Sequence, residues 1–309
     1  MKRVHFNCAA HKATGHILAV LFAGTVLWTT GCGDGPAEPA DMVDSGSWYV
    51  TGFRWPHDGN PYESEHFEVF SDAASEEARR SLAEIGEDVL ADLVGQFDAT
   101  GQDLFRFPAG QEKIHMYAYK SRFPQQWGGW AYYGGLLIYS LDHPERGLAG
   151  HTAMDMYVPV VRHEVMHVME SLMKASNNPE TVDVWLTEGV AEFVSGGTAG
   201  GSIEDLTRLD ELVAAFGGLN PISMHRYTDY PDQPAIGYDY LYPMFQLAAE
   251  YLFDARGIGA ALGDLRDLYL DVRGGTPFAE AFENRFGISV ADYEAQFFGL
   301  VRDYLAARQ

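Results

Sequence analysis

The chain has 309 residues, 47% of them hydrophobic, enough to bury one sizeable core, or one core built as two lobes around a cleft. Lys and Arg number 21 against 44 Asp and Glu, for a net charge of −23, which excludes a nucleic-acid surface because that needs a basic footprint. The apolar and aromatic content also excludes a disordered chain, and there is no internal repeat or low-complexity tract.

Residues 1–31 read as a targeting segment. "MKRVHFNCAAHK" is a basic start, and "HILAVLFAGTVLW" is an apolar run too short to span a bilayer comfortably. Thr29-Thr30-Gly31-Cys32 then resembles a bacterial lipobox, in which small residues precede a cysteine that is lipidated and becomes the mature N-terminus. Thr29 stands where such boxes usually carry leucine. The alternative is an ordinary secretory signal cut nearby, and both readings imply export. Anchoring through Cys32 would make the membrane a partner of the chain. Cys8 and Cys32 are the only cysteines, so cleavage before Cys32 leaves no disulfide in the mature chain. Residues 32–47, rich in Pro, Gly and Asp, read as a flexible tether.

Residues 48–155 form the expected N-terminal lobe. "HFEVFS" (66–71) alternates as a strand does, and residues 75–97 keep Leu82, Ile85, Val89, Leu93 and Phe97 on one helical face. Glu76 and Glu77 sit where the helix dipole favours negative charge. "KIHMYAYK" (113–120) is a second strand. "WGGWAYYGGLLIYSLD" turns on its glycines into a third, at 136–141. From 156 to 309 helical periodicity dominates, ending in a helix announced by Ser289 with Asp292 three residues on. Strands first and helices afterwards give an α+β class.

Within the helical lobe the spacing predicts a helix over 158–174, with Pro159 tolerated in its first turn. Val161, Val165, Val168 and Leu172 line one face, and His163, His167, Glu170 and Lys174 the opposite one. The two histidines, one turn apart, can reach one metal ion, and Glu164 leaves the helix beside them, close enough to touch a metal-bound water. A catalytic zinc needs a third protein ligand and an open position. "VWLTEGVAEFVSGG" (184–197) supplies a candidate in Glu188, twenty-one residues past His167, with Glu192 one turn further. "NNP" (177–179) breaks the first helix so that a second can return past the same point. Glu192 then falls where a carboxylate can orient a ligating histidine through its other ring nitrogen.

HEVMH…WLTEGVAEF resembles the gluzincin metallopeptidases, and the EG-x-AEF run is most similar to the peptidase subdomain of bacterial collagenases. The matching stretch covers about residues 157–197 and is diffuse elsewhere. The resemblance implies a zincin-like fold: a small mixed sheet with an antiparallel edge strand in the first lobe, a mostly helical second lobe, and an active-site cleft between. It implies His163, His167 and Glu188 as zinc ligands, Glu164 as general base, and Glu192 as a support behind a ligand. It implies one catalytic Zn2+ and a peptide or protein substrate. The chain is too short for the activating and collagen-binding modules of true collagenases, so collagen is not the implied substrate.

In that fold the strand before the active helix is an edge that an extended peptide can join, and Leu136–Ser140 would serve; an interior strand without a ligand is the other reading. The G-x-M-E-N signature of related aminopeptidases is absent, and "GGWAYYGGLLIYS" stands in its place, so an endopeptidase is expected and an aminopeptidase is the alternative. For the oxyanion donor, "IGYDYLYPMFQLAAEYL" offers Tyr238, Tyr240 and Tyr242, of which Tyr242 is chosen. Pro243 should start or kink the helix there, and His151 and His225 are further donors. A surface lipoprotein that keeps the zinc fold only as a binding module is the reading from another class. Calcium binding and oligomeric state have no specific signal in the sequence.

Overall fold

The computed structural model describes residues 60–71, 76–100, 104–118, 128–139, 158–176, 181–198, 201–226 and 238–308. Cys32, the signal segment, the tether and His151 lie outside them. No helix among the described residues is long and apolar enough to cross a membrane.

The architecture is α+β. Five short strands, β1 (Tyr62–Glu63), β2 (Phe67–Ser71), β3 (Ile114–Ala118), β4 (Gly128–Tyr132) and β5 (Gly135–Tyr139), form one sheet in the order β1-β2-β3-β5-β4. β2, β3 and β5 run parallel, while β1 and β4 flank them antiparallel. The parallel pair β2 and β3 requires a crossover, and helix α1 (Glu76–Gln96) provides it. Leu82, Val89 and Leu93 of α1 are buried with Phe67, Val69 and Met116 of the sheet, as the sequence periodicity requires. Gly86 lets the helix settle: a Cβ there would stand 3.0 Å from the Phe67 ring. Alternate residues on the other side of the sheet, Phe70 and Tyr117, stack with ring centroids 4.8 Å apart and are also buried. That second face is only partly dry, because Glu68 and His115 beside them are partly exposed and pair with each other at 3.1 Å.

One expectation is corrected here. The strand predicted at 136–141 is β5, and it is interior, hydrogen-bonded to β3 on one side and β4 on the other, with Leu136, Leu137 and Ile138 fully buried. Among the described residues the antiparallel edge beside β5 is β4, which the sequence reading took for a glycine turn. The actual reversal is the two-residue turn Tyr133-Gly134, where Gly134 adopts φ 85°, a conformation glycine reaches without strain.

The helical lobe is built around α2 (Val158–Lys174), which packs on β4 and β5, on α1, on α3 (Val184–Ser195) and on α6 (Leu262–Arg273). The remaining helices are α4 (Leu206–Ala215), α5 (Tyr238–Phe253), α7 (Phe278–Phe286) and α8 (Val290–Ala306), with a short 3-10 turn at Pro221–Ser223. Ser289 caps α8 by accepting a hydrogen bond from the Asp292 amide at 3.0 Å. α2 stops before the NNP triplet: Ala175 takes a left-handed φ of 54°, and the Ser176 amide donates back to the Ser171 carbonyl. Pro243 does not start α5, which begins at Tyr238.

α3 and α5 form a close helix crossing. Its cause is Gly189: a Cβ at that position would fall 2.3 Å from the Phe245 carbonyl oxygen. The glycine after Glu188 is thus a packing requirement that fixes how α3 carries Glu188.

Candidate metal centre

Beyond its first turn, α2 is buried along most of its surface. Val161, Val165, Val168 and Leu172 enter the apolar core as expected, but the polar face is largely covered too: His163, Glu170 and Lys174 are buried and His167 is partly buried. That face looks onto α3, and the two helices enclose a seam of ionisable side chains.

At the centre of the seam three donor atoms converge. His163 Nε2 and His167 Nε2 are 3.0 Å apart. Glu188 Oε2 lies 3.4 Å from each of them. Two imidazole nitrogens one turn apart on α2 thus meet one carboxylate oxygen from α3, the arrangement read from the spacing of the motif. Edges of 3.0, 3.4 and 3.4 Å are close to the donor–donor separation of about 3.3 Å in a tetrahedron with bonds of about 2.0–2.1 Å. The set fits a divalent ion: two neutral nitrogens and one anionic oxygen, with room in the coordination sphere for a fourth partner.

Electrostatics make the same demand. Glu164, Glu170, Glu188 and Glu192 are all buried, and Lys174 is the one buried cation among these side chains. Burying several carboxylates against a single ammonium is costly unless further positive charge joins them. Burial alone would raise the Glu188 pKa, but the charge and hydrogen bonding of His167 and His163 outweigh it and hold it below the ordinary range. Burial likewise opposes ionisation of Glu170, and Lys174 and His167 overcome it. A divalent ion between the imidazoles and Glu188 would take over this compensating role, with both rings neutral.

The far nitrogens of the imidazoles also have partners. His163 Nδ1 is 3.1 Å from Glu192 Oε1. That carboxylate accepts hydrogen bonds from both the amide and the hydroxyl of Thr198. A glutamate backing a ligand histidine fixes its tautomer and its aim. His167 Nδ1 is 3.9 Å from Glu170 Oε2. The sequence reading placed Glu170 on the histidine face without assigning it a role, although its position three residues after His167 carried the signal.

Glu164 follows His163 by about 100° around the helix, which turns it from α3 toward the sheet. It packs under the edge strand: a Cβ on Gly129 of β4 would sit 2.4 Å from Glu164 Cγ and 2.7 Å from Oε1. Sequence reasoning missed Gly129. The signal was the glycine pair in "WGGWAYY", since glycine inside a strand often marks the close approach of another group.

The oxyanion candidates separate in space. Tyr242 is fully buried, with its ring centroid 6.4 Å from that of His163. Tyr240, at the first turn of α5, is exposed. His225 is engaged in another cluster, its Nδ1 2.8 Å from Asp183 Oδ2 and its Nε2 3.5 Å from Glu294 Oε1, joining the start of α3 to α8. Against protein-family models and against curated proteins, the chain finds no match.

Proposed function

We propose that this chain is a zinc-dependent peptidase of zincin-like architecture, acting as an endopeptidase. The observation that carries this reading is the convergence of His163 Nε2, His167 Nε2 and Glu188 Oε2 within 3.0–3.4 Å, with Glu164 beside them beneath a sheet edge. A zinc ion held by these three residues supplies Lewis acidity toward a carbonyl and lowers the pKa of a water.

The chain's own residues do the rest. An extended peptide adds as a further strand beside β4, the last strand of the sheet among the described residues. Glu164, under that edge, takes the proton of the attacking water and passes it to the leaving nitrogen. Glu192 holds His163 in aim through Nδ1. Tyr242 is assigned as the hydroxyl donor to the developing oxyanion on the strength of its place beside His163. All four functional positions, His163, Glu164, His167 and Glu188, are retained, which favours an enzyme over a binding module.

Glu164→Gln tests the assignment. It should abolish peptide hydrolysis, by 10²-fold or more in kcat, while the protein still holds zinc. Turnover equal to wild type would refute the role of Glu164. Export and lipid anchorage through Cys32 belong to the same proposal. Cys32→Ala should move the protein from the membrane fraction to the soluble one.

A further inference from the structure

A second polar group lies behind His167, and the proposed reaction leaves it unused. Glu170 and Lys174, one turn apart on α2, form an ion pair of 2.6 Å between Oε1 and Nζ, and both side chains are buried. The Thr187 hydroxyl, from α3, donates to the same Oε1 at 3.1 Å. Glu170 Oε2 is buried and has no hydrogen-bond partner, and the nearby Tyr269 hydroxyl of α6 is in the same condition. Such a pair is poor value as a stabilising device, because well-packed apolar residues in its place are often neutral or better. Its two oxygens are also unequally used. Oε1 is held by Lys174 and Thr187, while Oε2 faces the Nδ1 side of His167 at 3.9 Å.

The matching arrangement on the other ligand gives this meaning. His163 also turns Nε2 toward Glu188 and Nδ1 toward a glutamate, Glu192, which is itself held by donors from Thr198. Each imidazole thus stands between the shared carboxylate and a carboxylate of its own. Glu192 comes from α3 and is held by neutral donors; Glu170 comes from α2 and is held by a lysine. Building on the zinc reading above, we propose that Glu170, fixed by Lys174 and Thr187, is the positioning residue of His167. In the zinc-bound protein the 3.9 Å gap shortens and Oε2 accepts from Nδ1–H, so that Nε2 keeps its lone pair toward the metal.

The test compares wild type with Glu170→Met/Lys174→Met and with Glu170→Gln, using Zn2+ alone and a competing chelator. The double variant removes both charges together, so the metal-free protein should melt within a few degrees of wild type or higher. Its zinc affinity should nevertheless fall by about 10–100-fold, and Glu170→Gln should weaken binding in the same direction should the double variant not fold. Zinc affinity within twofold of wild type in a folded variant overturns the inference and leaves the zinc reading standing. Failure of wild type itself to bind zinc overturns both.

Discussion

Gly129→Ala probes the join between the sheet edge and Glu164, the proposed general base. The added methyl would lie 2.4 Å from Glu164 Cγ, 2.8 Å from Cδ and 2.7 Å from Oε1. Carbon–carbon contacts settle at about 3.5–4.0 Å, so either Glu164 or the strand must retreat by roughly 1 Å. Both displacements would damage the same geometry, because in the proposed reaction the peptide lies along β4 and Glu164 must reach the water attacking it. A misplacement of this size costs about 10²-fold in rate, equivalent to about 2.7 kcal/mol of barrier. Glu164 is not a ligand, so zinc content should be unchanged. The assay is kcat on a peptide blocked at both ends, together with zinc per chain by elemental analysis. A kcat within threefold of wild type would show that β4 and Glu164 are not coupled as described. A blocked peptide also excludes an aminopeptidase, which would stall on it.

Gly189→Ala should act through stability instead. Its methyl would meet the Phe245 carbonyl oxygen at 2.3 Å, backbone that cannot rotate aside, so α3 and α5 must separate at a cost of about 1–3 kcal/mol, read as a lower denaturation midpoint. Glu87 gives a pH test. Burial opposes its ionisation, but hydrogen bonds from the His66 amide at 2.7 Å and the Ser64 hydroxyl at 2.6 Å, with the His66 ring beside it, lower its pKa. The stability it contributes is therefore present above the unfolded-state value of about 4.3 and lost as pH falls through the lower folded value. Glu87→Gln should cost about 1–2 kcal/mol at pH 7, with the gap to wild type closing below pH of about 4. A gap that widens on acidification would contradict this.

Much of the fold and of the site was legible because it rests on short-range periodicity. A 3.6-residue repeat puts His163 and His167 on one face of α2 wherever that helix packs. The return of α3 follows from a helix break and twenty-one residues of spacing. What escaped depends on tertiary contact. β4 looked like a turn because Gly128 and Gly129 are poor strand formers, and only the approach of Glu164 explains a glycine there. The burial of the polar face of α2 was not legible, because amphipathicity shows which residues share a face, not what covers it. α3 covers it, and this burial turns Glu170 and Lys174 from surface charges into an internal pair. Gly189 read as part of a motif, but its reason, the Phe245 carbonyl, lies more than fifty residues away in sequence.

The account is tested most directly by anomalous diffraction at the zinc edge from crystals of the zinc-loaded protein. The expected result is one strong peak bonded to His163 Nε2, His167 Nε2 and Glu188 Oε2 at about 2.0–2.2 Å. A peak at other residues, or none at this site with Glu188 turned away from the two imidazoles, would contradict it.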